Sequence, residues 1–371
     1  MARCLEGNAP RRRWRASLAL ACLFAVVLAL PGCSGDSAEP SLAGVGFDPN
    51  KALANPKDHV GPSSAHLGQI EVQPIEAQPA QSLPATVSDF QGTEVTITDT
   101  SRILALDIHG TLSQVVYGLG LGEFVVGRDN SSAFAQIKDK PLVTTNGTNL
   151  DAEAILSAAP SVIITDTSLG PLAVVDQMRE SGIPVLLVSP DRSLETIGPL
   201  FQLVADALGV SDAGKALVER TLSQIDQAKT EIAKALPQSA DQRLRVAFLY
   251  VRGTAGIYYL FGQDTGIDAL VQALGGIDVA SEVGWSGMQP VTDEGLVSMA
   301  PDVILMMTNG LESVGGVDGL IEKLPAVAAT PAGRNRRIVD MDDSQLLAFG
   351  PNTASVLLAL AGAIYSPKAS Q

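Results

Sequence analysis

The sequence predicts an α/β protein of two similar lobes with mainly parallel sheets, joined by one long helix. Three observations lead to this prediction. Short β-rich runs alternate with helical runs over residues 93–371, as in βαβ units. A stretch of twelve residues beginning at Glu153 recurs at Glu294 with six identical residues. Between the two copies lies a helical pattern long enough to cross a domain.

The composition is that of a globular protein with a large core and little material for catalysis. Of the 371 residues, 46% are hydrophobic and 18% are charged. The net charge of −15 argues against a nucleic-acid partner. Three Cys and three His are too few for a disulfide framework or a His-rich metal cage. The motifs HExxH, GxSxG and CxxC are absent, and Ser286 has no His in its own lobe to activate it, so we expect no enzyme.

The first 32 residues have the order of an export signal. Arginines within 11–15 precede an apolar run over 16–30, which is shorter than the roughly 20 residues of a membrane span. Leu30-Pro31-Gly32-Cys33 follows and resembles a bacterial lipobox. We therefore predict a signal peptide over 1–32 and acylation of Cys33, which would hold the protein on the extracytoplasmic face of the cell membrane. An ordinary cleaved signal and an uncleaved anchor are the alternatives.

Residues 33–92 are rich in Pro, Ala, Ser, Gln and Gly and keep neither a helical nor a strand period. Such a composition predicts a disordered tether. His59 and His66 lie within it, and we expect both to be solvated. The folded body is then residues 93–371.

The first lobe is predicted over residues 93–210. Two β-rich runs at 94–98 and 102–106, joined by Asp99-Thr100-Ser101, indicate an opening hairpin. Helices and strands then alternate as helix 111–119, strand 124–127, helix 151–157, strand 162–165, helix 172–180 and strand 185–188.

A connecting helix is predicted over 211–236 and ends before Pro237. One rigid helix between two lobes allows little hinge opening. The second lobe, 237–371, repeats the first: Glu153 to Ile164 and Glu294 to Leu305 each contain Glu, a helical turn, Ala-Pro and a buried strand. The apolar residues of the connecting helix recur at helical spacing, at Leu217, Leu222, Ile225, Ile232 and Leu236.

Ligands of open α/β sheets bind beyond the carboxyl ends of the strands. The predicted strand 245–251 brings Tyr250 and then Arg252 to that edge, and the strand 103–106 brings Asp107 and His109. A phenolate can ligate ferric iron, and a nearby guanidinium favours the deprotonated oxygen. Each residue alone is more typical of a structural role, as a half-buried tyrosine or a hydrogen-bonding turn histidine.

Four segments carry a resemblance to a known family. They are LDIHGTL at 106–112, FLYVRGTAG at 248–256, MTNGLESVGGVDGL at 307–320 and AGRNRR at 332–337. Residues 93–366 resemble the substrate-binding proteins of bacterial ABC importers in the class of two α/β lobes joined by one long helix, the class III periplasmic binding proteins. More narrowly, they resemble the haem-binding lipoproteins of actinobacterial haem importers. The resemblance implies capture of haem, as a transported ligand and not a catalytic cofactor, for delivery to an ABC permease.

In that family the haem iron lies between a His of the first lobe and a Tyr of the second, with an Arg beside the Tyr. Tyr250 and Arg252 match the second-lobe pair, so the resemblance implies that Tyr250 is the metal ligand. At the expected His position this chain has Thr148, within Gly147-Thr148-Asn149-Leu150. Three possibilities follow: Tyr250 holds the iron alone or with water, His109 substitutes, or the pocket binds another ligand.

The resemblance also implies roles outside the iron site. One acidic residue on each lobe, Glu153 and Glu294, would dock onto the membrane permease. Arg128 or Arg252 would bind the haem propionates. Three methionines are candidate contributors to the porphyrin pocket, namely Met288, Met306 and Met307.

Other functions remain open. A ferric siderophore or corrinoid receptor would keep the same architecture with another ligand. A metal-dependent or hydrolytic enzyme would need a cleft with His or paired carboxylates, and only His109 with Asp107 comes near this. The lack of His disfavours a zinc or manganese receptor. A descendant that has lost its ligand and serves as a scaffold is permitted by Thr148.

Overall fold

The computed structural model describes residues 46–68 and 71–367. The predicted signal peptide and the predicted acylation site Cys33 lie outside these residues. Within the described part of the chain, no helix is both long enough and apolar enough to cross a membrane.

The described residues before the first lobe are ordered against the folded body, and residues 33–45 of the predicted tether lie outside the described part of the chain. We call the described residues 46–68 and 71–92 the strap. It contains β1 (Ser63–Ala65) and β2 (Ala85–Ser88). The composition predicts a disordered tether here, and the structure differs because the strap backbone finds hydrogen-bond partners on the folded body. For example, the Leu53 amide donates to the Tyr365 carbonyl over 2.8 Å, and the Ser82 amide to the Gly209 carbonyl over 2.8 Å.

The first lobe is built around three parallel strands in the order β4-β7-β8. Every residue of these strands is buried, because helices cover the sheet and parallel strands then need continuous apolar runs. The elements of the lobe are β3 (Glu94–Ile97), β4 (Ile103–Leu106), α1 (Thr111–Gly118), β5 (Thr144–Thr145), β6 (Asn149–Leu150), α2 (Ala152–Ser157), β7 (Val162–Thr165), α3 (Leu172–Glu180), β8 (Val185–Leu187) and α4 (Ile197–Ala207).

The predicted opening hairpin is wrong in its pairing. β3 pairs antiparallel with β2 of the strap, whereas β4 pairs in parallel with β7. The burial patterns explain the difference: β3 alternates between exposed and buried residues and suits a two-stranded edge, while β4 is buried throughout and needs a central place. The predicted strand at 124–127 is reduced to a single bridge between Val125 and Ile103.

The lobes are joined by α5 (Ser211–Ala233), whose 23 residues correspond to about 34 Å. It ends three residues before the predicted limit of 236 and packs against α4 and against the last helix of the second lobe. Leu217, Ile225 and Ile232 are buried as predicted, but Leu222 is 39% exposed. The buried side chains of α5 belong to one apolar cluster that also contains residues of both lobes, such as Phe201 and Phe248. The connection is therefore packed along its length.

The second lobe contains a seven-stranded sheet in the order β1-β14-β13-β9-β10-β12, with β11 also paired to β9. Strand β1 of the strap is its edge, in parallel register with β14. The elements are β9 (Arg245–Arg252), β10 (Ile257–Phe261), α6 (Ile267–Ala273), β11 (Ile277–Asp278), α7 (Val279–Glu282), β12 (Met288–Pro290), α8 (Asp293–Met299), β13 (Val303–Met307), α9 (Thr308–Ser313), α10 (Gly316–Lys323), α11 (Ala326–Ala329), α12 (Pro331–Arg334), β14 (Ile338–Met341), α13 (Asp343–Leu346) and α14 (Thr353–Tyr365).

The internal repeat seen in the sequence is present in the topology. The parallel order β4-β7-β8 of the first lobe corresponds to β9-β13-β14 of the second. Helix α1 follows β4, and α6 follows the β9–β10 hairpin; both helices are followed by a glycine with positive φ, Gly120 at 83° and Gly275 at 76°. A glycine there allows the left-handed turn that ends a helix.

Candidate functional site

Tyr250 and Arg252 lie together at the carboxyl end of β9. Two residues apart on a strand, they face the same side of the sheet. Arg252 Nε donates a hydrogen bond to Tyr250 Oη over 2.7 Å, and the guanidinium carbon lies 5.4 Å from the centre of the phenol ring. This hydrogen bond raises the pKa of Arg252, so the guanidinium is charged at neutral pH. The pair is a cation held against a phenol oxygen.

Aromatic side chains of β9 and β10 pack against the Tyr250 ring. The buried Phe261 of β10 stacks on Tyr250 with centroids 5.8 Å apart and an interplanar angle of 28°. Phe248 of β9 packs on Phe261 in turn, at 4.9 Å. Because the antiparallel pairing of β9 and β10 sets these positions, the sheet determines the direction of the phenol group.

A cavity of about 350 Å³ lies between the lobes, and Arg252 is in its wall. We call it the interlobe cavity. The second lobe lines it with residues that follow three neighbouring strands, including Arg252 after β9, Asn309 after β13 and Asp343 after β14. The first lobe contributes Gln114 of α1 and the loop 130–135. A cavity beyond the carboxyl ends of parallel strands is the usual ligand position in α/β folds.

The wall around Arg252 contains acidic groups as well. Asp343 accepts a hydrogen bond from the Asn309 amide over 3.0 Å. Burial raises the pKa of the Asp343 carboxyl, while that hydrogen bond and the charge of Arg252 lower it. Asp342 also lines the cavity. The positive charge of Arg252 is therefore offset by the carboxylates of Asp342 and Asp343 on the same wall of the cavity.

His109, the candidate substitute ligand, is half-buried behind the carboxyl end of β4. Burial lowers the pKa of His109 to about 4, with Arg192 acting in the same direction and Asp107 against it. The imidazole is therefore neutral at pH 7. It belongs to a region in which buried charges pair with one another.

A buried charge cluster occupies the carboxyl edge of the first-lobe sheet. Arg192 Nη2 lies 2.7 Å from Asp166 Oδ2 and 3.2 Å from Asp107 Oδ2, and all three side chains are almost completely buried. Asp129 Oδ2 accepts from the Asp107 amide over 3.1 Å. Burial, with the charge of Asp107, raises the pKa of Asp129 to about 7 and that of Asp166 to about 6. No group of His, Cys, Asp and Glu within 46–68 and 71–367 is arranged to hold a metal ion.

The other predicted haem contacts lie outside the cavity wall. Thr148 is exposed in the turn between β5 and β6, where its carbonyl accepts from the Gly170 amide over 3.1 Å. Arg128 donates to the carbonyls of Lys138 and Asp129, each over 3.2 Å. It thereby braces the loop that supplies residues 130–135. Of the predicted haem contacts, only Arg252 is among the described residues that line the interlobe cavity, and Tyr250 reaches the wall through its hydrogen bond with Arg252.

The three candidate methionines also lie elsewhere. Met306 is completely buried in the core of the second lobe, Met288 is 61% exposed, and Met307 packs on the core edge. The apolar face of the cavity comes instead from Phe134 and Phe349.

Glu153 and Glu294 occupy equivalent places on the two lobes. Each is exposed in the first turn of a helix, α2 and α8 respectively. The helix start is capped in both cases, by Asp151 in α2 and by Thr292 in α8. The duplicated sequence thus produces two exposed carboxylates on matching surfaces.

Reasoning from sequence missed several residues of the cavity wall. Asn309 and Asp343 lie in or beside segments that carried the family resemblance, but no chemical pattern distinguished them. The loop 130–135 gave no signal, since it has no motif or period. It is held by hydrogen bonds at Ser132, whose amide donates to Asp129 over 2.7 Å and whose carbonyl accepts from Arg128 over 3.5 Å.

Comparisons with known proteins agree with this architecture. The family model described as periplasmic binding protein matches residues 108–345. The crystal structure of the haem-binding protein HmuT is 38% identical, covers 84% of this chain and 99% of its own, and has a TM-score of 0.79. Structures of HmuT with a histidine, an arginine or a tyrosine replaced by alanine are similar to this chain as well.

Two further relatives differ in their ligand. The periplasmic haem-binding protein RhuT from Roseiflexus sp. RS-1 is 35% identical, covers 72% of this chain and 98% of its own, and has a TM-score of 0.65. A cobalamin-binding protein of Halobacterium salinarum is 22% identical over 308 residues, which are 82% of this chain and 80% of that protein. The fold, the repeat and the extent of these matches show that the chain belongs to the periplasmic binding protein family.

Proposed function

We propose that this protein is an extracytoplasmic receptor that captures haem and presents it to an ABC permease, with no chemistry performed on the ligand. The observation that carries the proposal is the Tyr250 and Arg252 pair at the carboxyl end of β9, joined by a 2.7 Å hydrogen bond, of which Arg252 lines the interlobe cavity. Similarity to haem-binding structures at 35–38% identity supports the choice of ligand.

In this proposal Tyr250 binds the haem iron, alone or with water. A tyrosine oxygen is a known haem ligand. Arg252 orients that oxygen, and its remaining guanidinium N–H groups are available to a propionate. Arg128 acts indirectly, by bracing the loop 130–135. His109 is the weaker candidate for iron because it lies beside buried charges, whereas Tyr250 is hydrogen-bonded to Arg252 in the cavity wall.

A corrinoid is the second candidate ligand. The cavity lining includes the amide side chains of Gln114, Asn130, Asn309, Gln345 and Asn352. Amides can exchange hydrogen bonds with the amide groups around a corrin ring. The cobalamin-binding relative adds support at lower identity.

Titration of the purified protein with hemin and, separately, with cyanocobalamin tests the proposal. We expect hemin to bind in a one-to-one complex with a shifted Soret band, and cyanocobalamin to remain free in equilibrium dialysis. Binding of cyanocobalamin without hemin would establish the second candidate. If neither is bound, both ligand assignments are wrong.

We propose that acylated Cys33 anchors the receptor to the membrane. Support comes from the sequence alone, through the basic cluster, the apolar run and Gly32-Cys33. A lipid anchor would keep the receptor close to the permease, which raises its effective concentration there.

We propose that Glu153 and Glu294 dock onto basic groups of the permease. Both are exposed, and each is followed one helical turn later by an exposed aliphatic residue, Leu156 at 42% and Val297 at 40%. A charge beside apolar surface on both lobes suits a partner that contacts both at once.

Replacing Glu153 and Glu294 together by Ala should lower uptake of hemin by cells at least about tenfold, because both charge contacts with the permease are lost. Hemin binding by the purified variant should be unchanged. The matched control replaces Glu180 and Glu312, which are exposed Glu residues on the two lobes, by Ala. Normal uptake by the first variant, or an equal loss in the control, would contradict the docking role.

A further inference from the structure

The first half of the strap is bound to the second lobe. β1 pairs with β14, and the Gly61 amide donates to the Asn335 carbonyl over 2.8 Å. Lys57 lies 3.4 Å from Asp302 Oδ2 in an ion pair. These contacts make residues 46–68 part of the second lobe.

The second half is bound to the first lobe. Gln136 holds Val72 through two hydrogen bonds, accepting from the Val72 amide over 2.8 Å and donating to its carbonyl over 2.9 Å. The Ile75 amide donates to the Gly118 carbonyl over 2.8 Å, and β2 pairs with β3. The chain therefore changes lobes between Gly68 and Val72.

Glycines of the body admit the strap backbone. A Cβ on Gly120 would lie 2.0 Å from the Glu76 carbonyl oxygen, and a Cβ on Gly209 would lie 2.6 Å from that of Ser82. Both positions also have positive φ. A side chain there is therefore disfavoured by the backbone conformation as well as by the close strap carbonyl. The strap backbone therefore packs closely against the body at these two glycines.

The change of lobe takes place at the interlobe cavity. Leu67 and Gly68 are in the cavity wall, and Gln345 Nε2 donates to the Gly68 carbonyl over 3.2 Å. Leu67 follows β1, and Arg252 ends β9. In the sheet order β1-β14-β13-β9 these two strands are three places apart, which corresponds to about 14 Å between their axes. The strap thus forms the wall of the cavity that faces Arg252 along the sheet edge.

The strap also limits how far the lobes can separate. Only three residues lie between Gly68 and Val72, so their Cα atoms can be at most about 14 Å apart. Opening beyond that distance requires loss of the anchors on one lobe. Together with α5, the strap makes a second connection between the lobes, at the interlobe cavity.

We propose that the strap is a functional wall of the ligand site, in which Leu67 contacts the bound ligand and the Gln136 anchor on Val72 slows ligand release by keeping the lobes together. The identity of the ligand rests on the proposed function. The tie between the lobes rests on the contacts of the strap alone.

The test uses Leu67→Ala and Gln136→Ala in the full chain, with hemin as the probe. Transfer of bound hemin to an excess of apomyoglobin gives the release rate. We expect release roughly 10- to 30-fold faster in each variant, since the loss of two average hydrogen bonds, or of most of one leucine contact, corresponds to a change of that size. Small-angle scattering without ligand should show a larger radius of gyration for Gln136→Ala only.

Val60→Ala is the matched control, because Val60 is a strap residue that is 65% exposed and absent from the described cavity lining. It should behave as the parent protein in both measurements. Release rates and scattering equal to those of the parent in both variants would overturn the proposal. If the parent binds no hemin, the proposed function is wrong, and the scattering of Gln136→Ala alone then decides whether the strap ties the lobes.

Discussion

Replacing Tyr250 by Phe is expected to weaken hemin binding about 100-fold or more and to change the visible spectrum of any complex that remains. Loss of a residue that merely supports a metal ligand costs 10–100-fold in affinity, and loss of the ligand itself should cost at least as much. Phe keeps the stack on Phe261, so the change removes the phenol oxygen and little else. Spectrophotometric titration with hemin measures both effects.

Tyr258→Phe is the matched control. Tyr258 lies on β10, the strand that pairs with the strand of Tyr250. Its side chain packs on the opposite face of the sheet, against an apolar cluster made of second-lobe residues. Its loss should leave the titration unchanged. A Tyr250→Phe protein with the affinity and spectrum of the parent would show that iron is held elsewhere, and His109→Ala would then be the variant to measure.

Replacing Arg192 by Met is expected to destabilise the protein by about 3–5 kcal/mol, the usual cost of leaving buried charges without their partner. Asp107 and Asp166 would lose the guanidinium that lies 3.2 and 2.7 Å away, in a region closed to water. Urea unfolding at pH 8 measures the change in the free energy of unfolding. The loss should be smaller at pH 5.

The direction of this pH effect follows from the raised pKa values. Asp166 and Asp129 have folded pKa values of about 6 and 7, above the ordinary 3.8, so the native state binds their protons more tightly than the unfolded state does. Falling pH between about 7 and 4 therefore favours the native state at these two groups. Protonated carboxyls also need Arg192 less.

Lys215→Met is the control for Arg192→Met. Lys215 pairs with Asp212 over 2.9 Å at the surface, where both side chains are largely exposed. Removal of such a pair changes stability by less than about 1 kcal/mol. An Arg192→Met protein as stable as this control at pH 8 would show that the buried cluster tolerates the loss of the guanidinium that pairs with two carboxylates.

The features predicted correctly from the sequence are those with a strong pattern among neighbouring residues. The buried strands β7 and β8 are continuous apolar runs, and α5 shows its period over 23 residues, so neighbouring residues alone predict them. Tyr250 and Arg252 could be predicted as a pair because alternation along one strand puts them on one face. The repeat of Glu153 and Glu294 likewise predicted two matching helix starts.

Long-range contacts explain what was missed. The strap has no period because its backbone bonds to the body rather than to itself, and a composition rich in Pro and Ser gives no sign of those partners. β3 and β4 are adjacent in sequence and lie in different sheets, a choice made by burial.

The sequence by itself thus determined the lobes, their repeat, the connecting helix and the residue pair at the end of β9, because each is encoded by residues close together along the chain. Tertiary structure decided where the strap runs and which residues surround Arg252. It also decided that the edge of the first-lobe sheet is filled by a buried charge cluster. The cavity wall combines Leu67, Gln114, Asn309 and Asp343 from four distant segments, and only the folding of both lobes around α5 brings such segments together.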